Sequence, residues 1–83
     1  MNDLCGKFLA TFEIQKDGNK KLVDLAIEFI GTKQFHPYLA FNSLKAKIGV
    51  GAKYLLHVSA IPDNDWLGMK TLADFNDTVQ IDK

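Results

Sequence analysis

Arginine is absent from this chain, and all ten of its cations are lysine. The planar guanidinium fork is the favoured group for bidentate contact with guanine edges and phosphates. Its absence counts against sequence-specific reading of DNA. Cysteine occurs once, at Cys5. A small secreted domain ordinarily carries an even set for disulfides, so the lone thiol reads as a small apolar filler. No apolar run approaches the roughly 20 residues that a membrane-spanning helix needs. The opening "MNDLCGKFLATF" has an acid where a signal peptide carries basic residues, so the expected location is cytoplasmic. Acids are also missing from a long stretch. None lies between Phe29 and Pro62, where Lys33, Lys45, Lys47 and Lys53 stand, whereas Asp63, Asp65, Asp74, Asp77 and Asp82 crowd the remainder. The formal net charge is zero, so these blocks predict a dipolar molecule.

What is present suits a packed globule. Nearly half of the 83 residues are hydrophobic (47%), and the aromatics are Phe8, Phe12, Phe29, Phe35, Phe41, Phe75, Tyr38, Tyr54 and Trp66. That length leaves room for one core and therefore one domain, residues 1–83.

The stretch "EIQKDGNKKLV", Glu13 to Val23, decides much of the fold. With Asp17-Gly18 as the centre of a two-residue turn, Lys16 pairs with Asn19, Glu13 with Leu22, Phe12 with Val23, Ala10 with Leu25 and Phe8 with Ile27. This register gathers Phe8, Ala10, Phe12 and Ile14 on one face with Val23, Leu25 and Ile27, and Asp-Gly suits a type I′ turn. The alternative for residues 20–30 is a helix capped by Asn19, with Leu22, Leu25, Ala26, Phe29 and Ile30 as its stripe. Two lysines in its first turn oppose the helix dipole, and it leaves the alternation in "FLATFEI" unexplained. The hairpin is preferred.

Downstream, "HPYLAFNSLKAKIGVG" reads as a helix. Pro37 sits at its first position, Tyr38, Phe41, Leu44 and Ile48 form its inward stripe, and Gly49 closes it. "AKYLLHVSAI" reads as a strand ended by Pro62, with leucines on both faces suggesting cover on both sides or nearly so. "DNDWLGMKTLADF" reads as a short helix entered through Asp63 or Asp65 with Trp66, Met69, Leu72 and Ala73 inward, and an alternating strand over 65–75 is the alternative. "DTVQIDK" is a short closing strand or tail. The sum is a small α+β domain: an N-terminal antiparallel hairpin, one or two further strands, a helix packed on the sheet, and a second short C-terminal helix.

Chemistry is sparse. Cys5, His36 and His57 are isolated from one another and lack metal-ligand spacing, so neither a metal nor a cofactor is expected. His57 and Ser59 share a strand face, a spacing suggestive of nucleophile and base, but no acid stands locally to orient the imidazole. "IGVGAK" has the glycines and lysine of a phosphate loop without its spacing, and between the wrong elements. The chain therefore reads as no enzyme. The expected function is a small protein-interaction module, of the accessory, regulatory or inhibitor kind that phages and mobile elements also encode. It would bind an unidentified protein partner, or its own copy through a free edge of the hairpin. Asp63, Asp65 and Trp66 in "PDNDW" are the candidate contact, carboxylates beside an aromatic anchor. The alternative is weak nucleic-acid binding by a patch of Lys33, Lys45, Lys47 and Lys53, joined by Lys20 and Lys21 from the hairpin tip. Zero net charge argues against it.

Overall fold

A computed structural model of the protein describes residues 4–81. Its elements follow the order β1 (Cys5–Lys16), β2 (Asn19–Ile30), α1 (Pro37–Ile48), β3 (Ala52–Ala60), α2 (Asp63–Leu72) and β4 (Phe75–Gln80). The domain is α+β. Asp82 and Lys83, the end of the expected closing segment, lie outside the described residues.

Strands β1 and β2 form the hairpin in the register expected from the sequence, from Lys16–Asn19 at the turn through Phe8–Ile27 to Cys5–Ile30. Asp17 and Gly18 have φ of 55° and 80°, the left-handed pair that a type I′ turn demands. Residues 20–30 are therefore strand. The helical stripe lost because the sheet buries Val23, Leu25, Ile27 and Phe29 together on one face, which no single helical stripe does.

The hairpin is not at the edge. The strand order is β3-β1-β2-β4, so both hairpin strands are central and the free edges belong to β3 and β4. An interface on a hairpin edge is thereby corrected: β3 pairs antiparallel with β1, and β4 pairs parallel with β2. It follows that β2, β3 and β4 run parallel to one another and β1 alone opposes them.

This topology places the helices. The crossover from β2 through α1 to β3 runs one way across the sheet, and that from β3 through α2 to β4 runs back. Parallel crossovers are right-handed almost without exception, so a reversal of direction puts the two helices on opposite faces. Packing agrees. Helix α1 lies over the face made by Phe8, Phe12, Leu25 and Phe29, with Ala40 and Leu44 fully buried in that core. On the other face Ala26 is fully buried, and Lys7 reaches Asp63 in the first turn of α2. Trp66 is the buried residue of α2, whereas Leu72, expected inward, is 82% exposed at the helix's last turn.

Two expectations about faces need correction. Tyr38 is 75% exposed and is not part of the inward stripe of α1. The helix turns Ala40, Ser43 and Leu44 to the sheet instead, because the small Ala40 permits close approach and Ser43 has a hydrogen-bond partner there, Asp77 of β4. Strand β3 is also not covered on both sides, since Tyr54 and Leu56 stay 59% and 51% exposed. It is an edge strand whose pairing with β1 slips between Thr11 and Phe12 and again between Glu13 and Ile14. The slip beside Thr11 breaks the alternation, so Leu55 and Val58, three apart, both pack against the core while Leu56 faces outward.

The second helix begins without a side-chain cap. Asp63 and Asp65 occupy its first turn, where their charge favours the positive end of the dipole.

Candidate interaction surfaces

The acidic corner forms where the carboxyl end of β3 turns into α2. Asp63 and Asp65 face solvent, while Trp66 is 8% exposed and has little surface to present to a partner. Its ring packs inward, with Lys70 Nζ 5.9 Å from its centre. Asp63 is also engaged within the chain: Lys7 Nζ donates to its Oδ1 at 3.0 Å and lies 3.5 Å from Glu28 Oε2. The hydrogen bond to Asp63 raises the Lys7 pKa above its ordinary value, with burial opposing and the Glu28 carboxylate assisting.

This corner borders the point where the winding of the sheet reverses, the place where open sheets usually hold ligands beyond the carboxyl ends of their strands. A depression of about 320 Å³ lies there, lined by residues that include Cys5, Gly6, Lys7, Lys33 and Asp63. Its chemistry is already satisfied, because the Lys7 ammonium sits between two carboxylates and offers no spare charge. Gly6 is required by close packing: a Cβ would meet the Phe8 ring at 2.9 Å and the Lys33 backbone at 3.1 Å.

The four candidate lysines do not form one patch. Lys45 and Lys47 lie in the last turn of α1, and Lys53 follows at the start of β3, which begins opposite Ile14 beside the hairpin turn. Lys33 lies at the other end of the molecule, against Gly6. Lys16, Lys20 and Lys21 of the turn region, by contrast, lie at the same end as Lys45, Lys47 and Lys53. Sequence reasoning missed Lys16, and the register of the hairpin would have supplied it.

His57 and Ser59 do meet: His57 Nε2 and Ser59 Oγ lie 2.8 Å apart on an exposed face. Parallel side chains two apart on a strand thus bridge readily. Among the described residues no carboxylate is hydrogen-bonded to the imidazole; Asp24, in the same cross-strand row, accepts from Thr11 instead. Neither described depression includes either residue, so a nucleophile–base pair exists without an orienting acid or a substrate cleft. Among the described residues no cluster of three metal-ligating side chains occurs. His36 precedes α1 without a side-chain cap bond; its Nε2 is buried and unpartnered, and its ring centre lies 5.4 Å from that of Phe29.

The two edges differ. Strand β4 is six residues long and directs Asp77 to the core face, between Phe75 and Val79, with Asn76, Thr78 and Gln80 on the other. An inward charge on an edge strand discourages the addition of another strand. Strand β3 is longer, nine residues, holds no acid or proline, and exposes Tyr54, Leu56 and His57.

No described helix is long and apolar enough to cross a membrane. Comparison with known proteins returned nothing: no family model, no curated protein and no solved structure matches this chain.

Proposed function

We propose that the protein is a non-catalytic interaction module of the accessory, regulatory or inhibitor type, acting in the cytoplasm. It engages a protein partner, or a second copy of itself, along the outer edge of β3. The observation that carries this reading is the open edge itself: nine residues of strand with no neighbouring strand on one side among the described residues, flanked by half-exposed Tyr54 and Leu56. An extended segment adds to such an edge through backbone hydrogen bonds and draws specificity from the side chains beside it. The two slips in β3 lie toward the hairpin-turn end of its pairing with β1. From His57 to Ala60 the register is regular.

The test pairs sedimentation with capture. Sedimentation equilibrium of the wild type reads self-association directly. Tyr54→Lys with Leu56→Lys then adds charge to the edge at positions exposed enough that stability changes by only about 0.5 kcal/mol. Loss of self-association, or of one captured partner, in this variant supports the edge. A partner held equally well by wild type and variant removes it.

A further inference from the structure

Residues 15–22 are exposed without exception. Strand β3 begins opposite Ile14 and β4 opposite Leu25, so among the described residues this part of the hairpin has no third strand on either side. It projects from the body as a two-stranded ribbon carrying Lys16, Lys20 and Lys21. At roughly 3.3 Å per residue the three or four residues from Ile14 to the turn reach about 10 Å. Lys45 and Lys47 from the end of α1, and Lys53 from the start of β3, stand at its base. Between ribbon and helix lies a notch of about 230 Å³, lined by Ile14, Lys16, Lys21, Ile48 and Val50 among others.

Six lysines stand at this end against three nearby carboxylates, Glu13, Asp17 and Asp74, the last of which lines the notch beside Lys16 and Lys21, so the charge is only partly offset. Among the described residues the only ion pairs are those of Lys7, at the opposite end. Six lysines without ionic partners on a projecting ribbon and its base form an electrostatic footprint for a polyanion. The shape narrows the class. A two-stranded ribbon is one of the two elements that the major groove of B-form DNA admits, at about 12 Å wide and 8.5 Å deep. Single-stranded binding instead relies on exposed aromatic platforms. Only Tyr54 is available near this end, because Tyr38 starts α1 at the far one. The notch falls short of the roughly 300 Å³ at which small-ligand pockets begin.

We propose that this lysine-bearing ribbon binds the phosphate backbone of double-stranded DNA without regard to sequence. The ribbon enters the major groove while Lys45, Lys47 and Lys53 meet flanking phosphates. The absence of arginine fits a contact that neutralises phosphates and reads no bases. This surface meets the edge strand β3 only at Lys53, and either reading stands without the other.

The experiment is fluorescence anisotropy of a labelled 20-base-pair duplex titrated with the full chain at several salt concentrations. Four to six phosphate contacts predict that affinity falls by about 10²- to 10³-fold between 50 and 200 mM salt. The triple variant Lys16→Gln, Lys20→Gln, Lys21→Gln, altered only at exposed positions and checked by circular dichroism, is expected to bind at least tenfold more weakly. Its log–log salt slope should be shallower by about 2 to 3. Lys33→Gln should leave both unchanged. No binding at 50 mM salt, a flat salt response, or an unaffected triple variant would overturn the assignment. So would equal binding to polyglutamate, which would make the ribbon end a surface for acidic proteins.

Discussion

The hydrogen bond from Ser43 Oγ to Asp77 Oδ2 joins α1 to the edge strand β4 across the core face of the sheet. Ser43 is 7% exposed, so its hydroxyl has little access to water once the acceptor is lost. A hydrogen bond to a charged acceptor contributes about 1.5 to 3 kcal/mol, and an orphaned partner carries a similar desolvation cost. Asp77→Ala is therefore expected to cost about 2 kcal/mol, a fall in Tm of about 8 to 16 °C for a domain of this size. Ser43→Ala should cost less, about 1 kcal/mol, because alanine recovers some helix propensity. In a double-mutant cycle read by urea unfolding, the two changes together should fall short of their sum by about 1 kcal/mol. A coupling below about 0.3 kcal/mol would mean that the bond contributes nothing and that the reasoning fails. Ser43→Ala with Asp77→Val is the sharper variant. It replaces both polar groups by apolar ones and should unfold close to wild type, yet aggregate sooner because β4 has lost its inward charge.

Three further outcomes follow from single sites. Gly18→Val places a β-branched residue at φ 80° and should cost about 1 to 3 kcal/mol in thermal unfolding, whereas Gly18→Asn should cost far less. His36→Phe removes a buried nitrogen that has no partner and should leave Tm unchanged or raise it; a fall of several degrees would show that the nitrogen is satisfied after all. The raised pKa of Lys7 contributes stability that is fully present below the ordinary lysine value of about 10.5 and is lost as pH rises through the folded value above it. The difference in Tm between wild type and Asp63→Asn should accordingly hold steady from pH 7 to 10 and shrink beyond. It should be small, since the Asp63 side chain is 87% exposed.

The hairpin was legible down to its register because three signals coincide there: Asp-Gly, alternating apolar residues, and lysines where a helix would disfavour them. The start of α1 at Pro37 and its close at Gly49 were legible for the same kind of local reason. Strand order was not, since pairing of β3 with β1 and of β4 with β2 rests on contacts far apart in the chain, and no local pattern reports them. The exposure of Tyr38, Tyr54 and Leu56 follows from that order: which apolar residues are covered depends on which strand is an edge. The split of the lysines has the same origin. Lys33 and Lys45 share an acid-free segment, but α1 carries the chain from one end of the sheet to the other between them.

Because both inner strands come from the first thirty residues, the order of assembly is constrained. The hairpin needs only a two-residue closure and forms in about 1 to 10 μs, whereas pairing Phe8 with Ala60 closes most of the chain. The hairpin is thus the template onto which β3 and β4 dock. Substitutions at Phe12 or Val23 should slow refolding, while those in α2 or β4 should mainly hasten unfolding. On the ribosome the same order leaves the face of Phe8, Phe12, Leu25 and Phe29 without its helix until α1 has emerged. Synthesis is therefore the interval in which this fold is most vulnerable to aggregation.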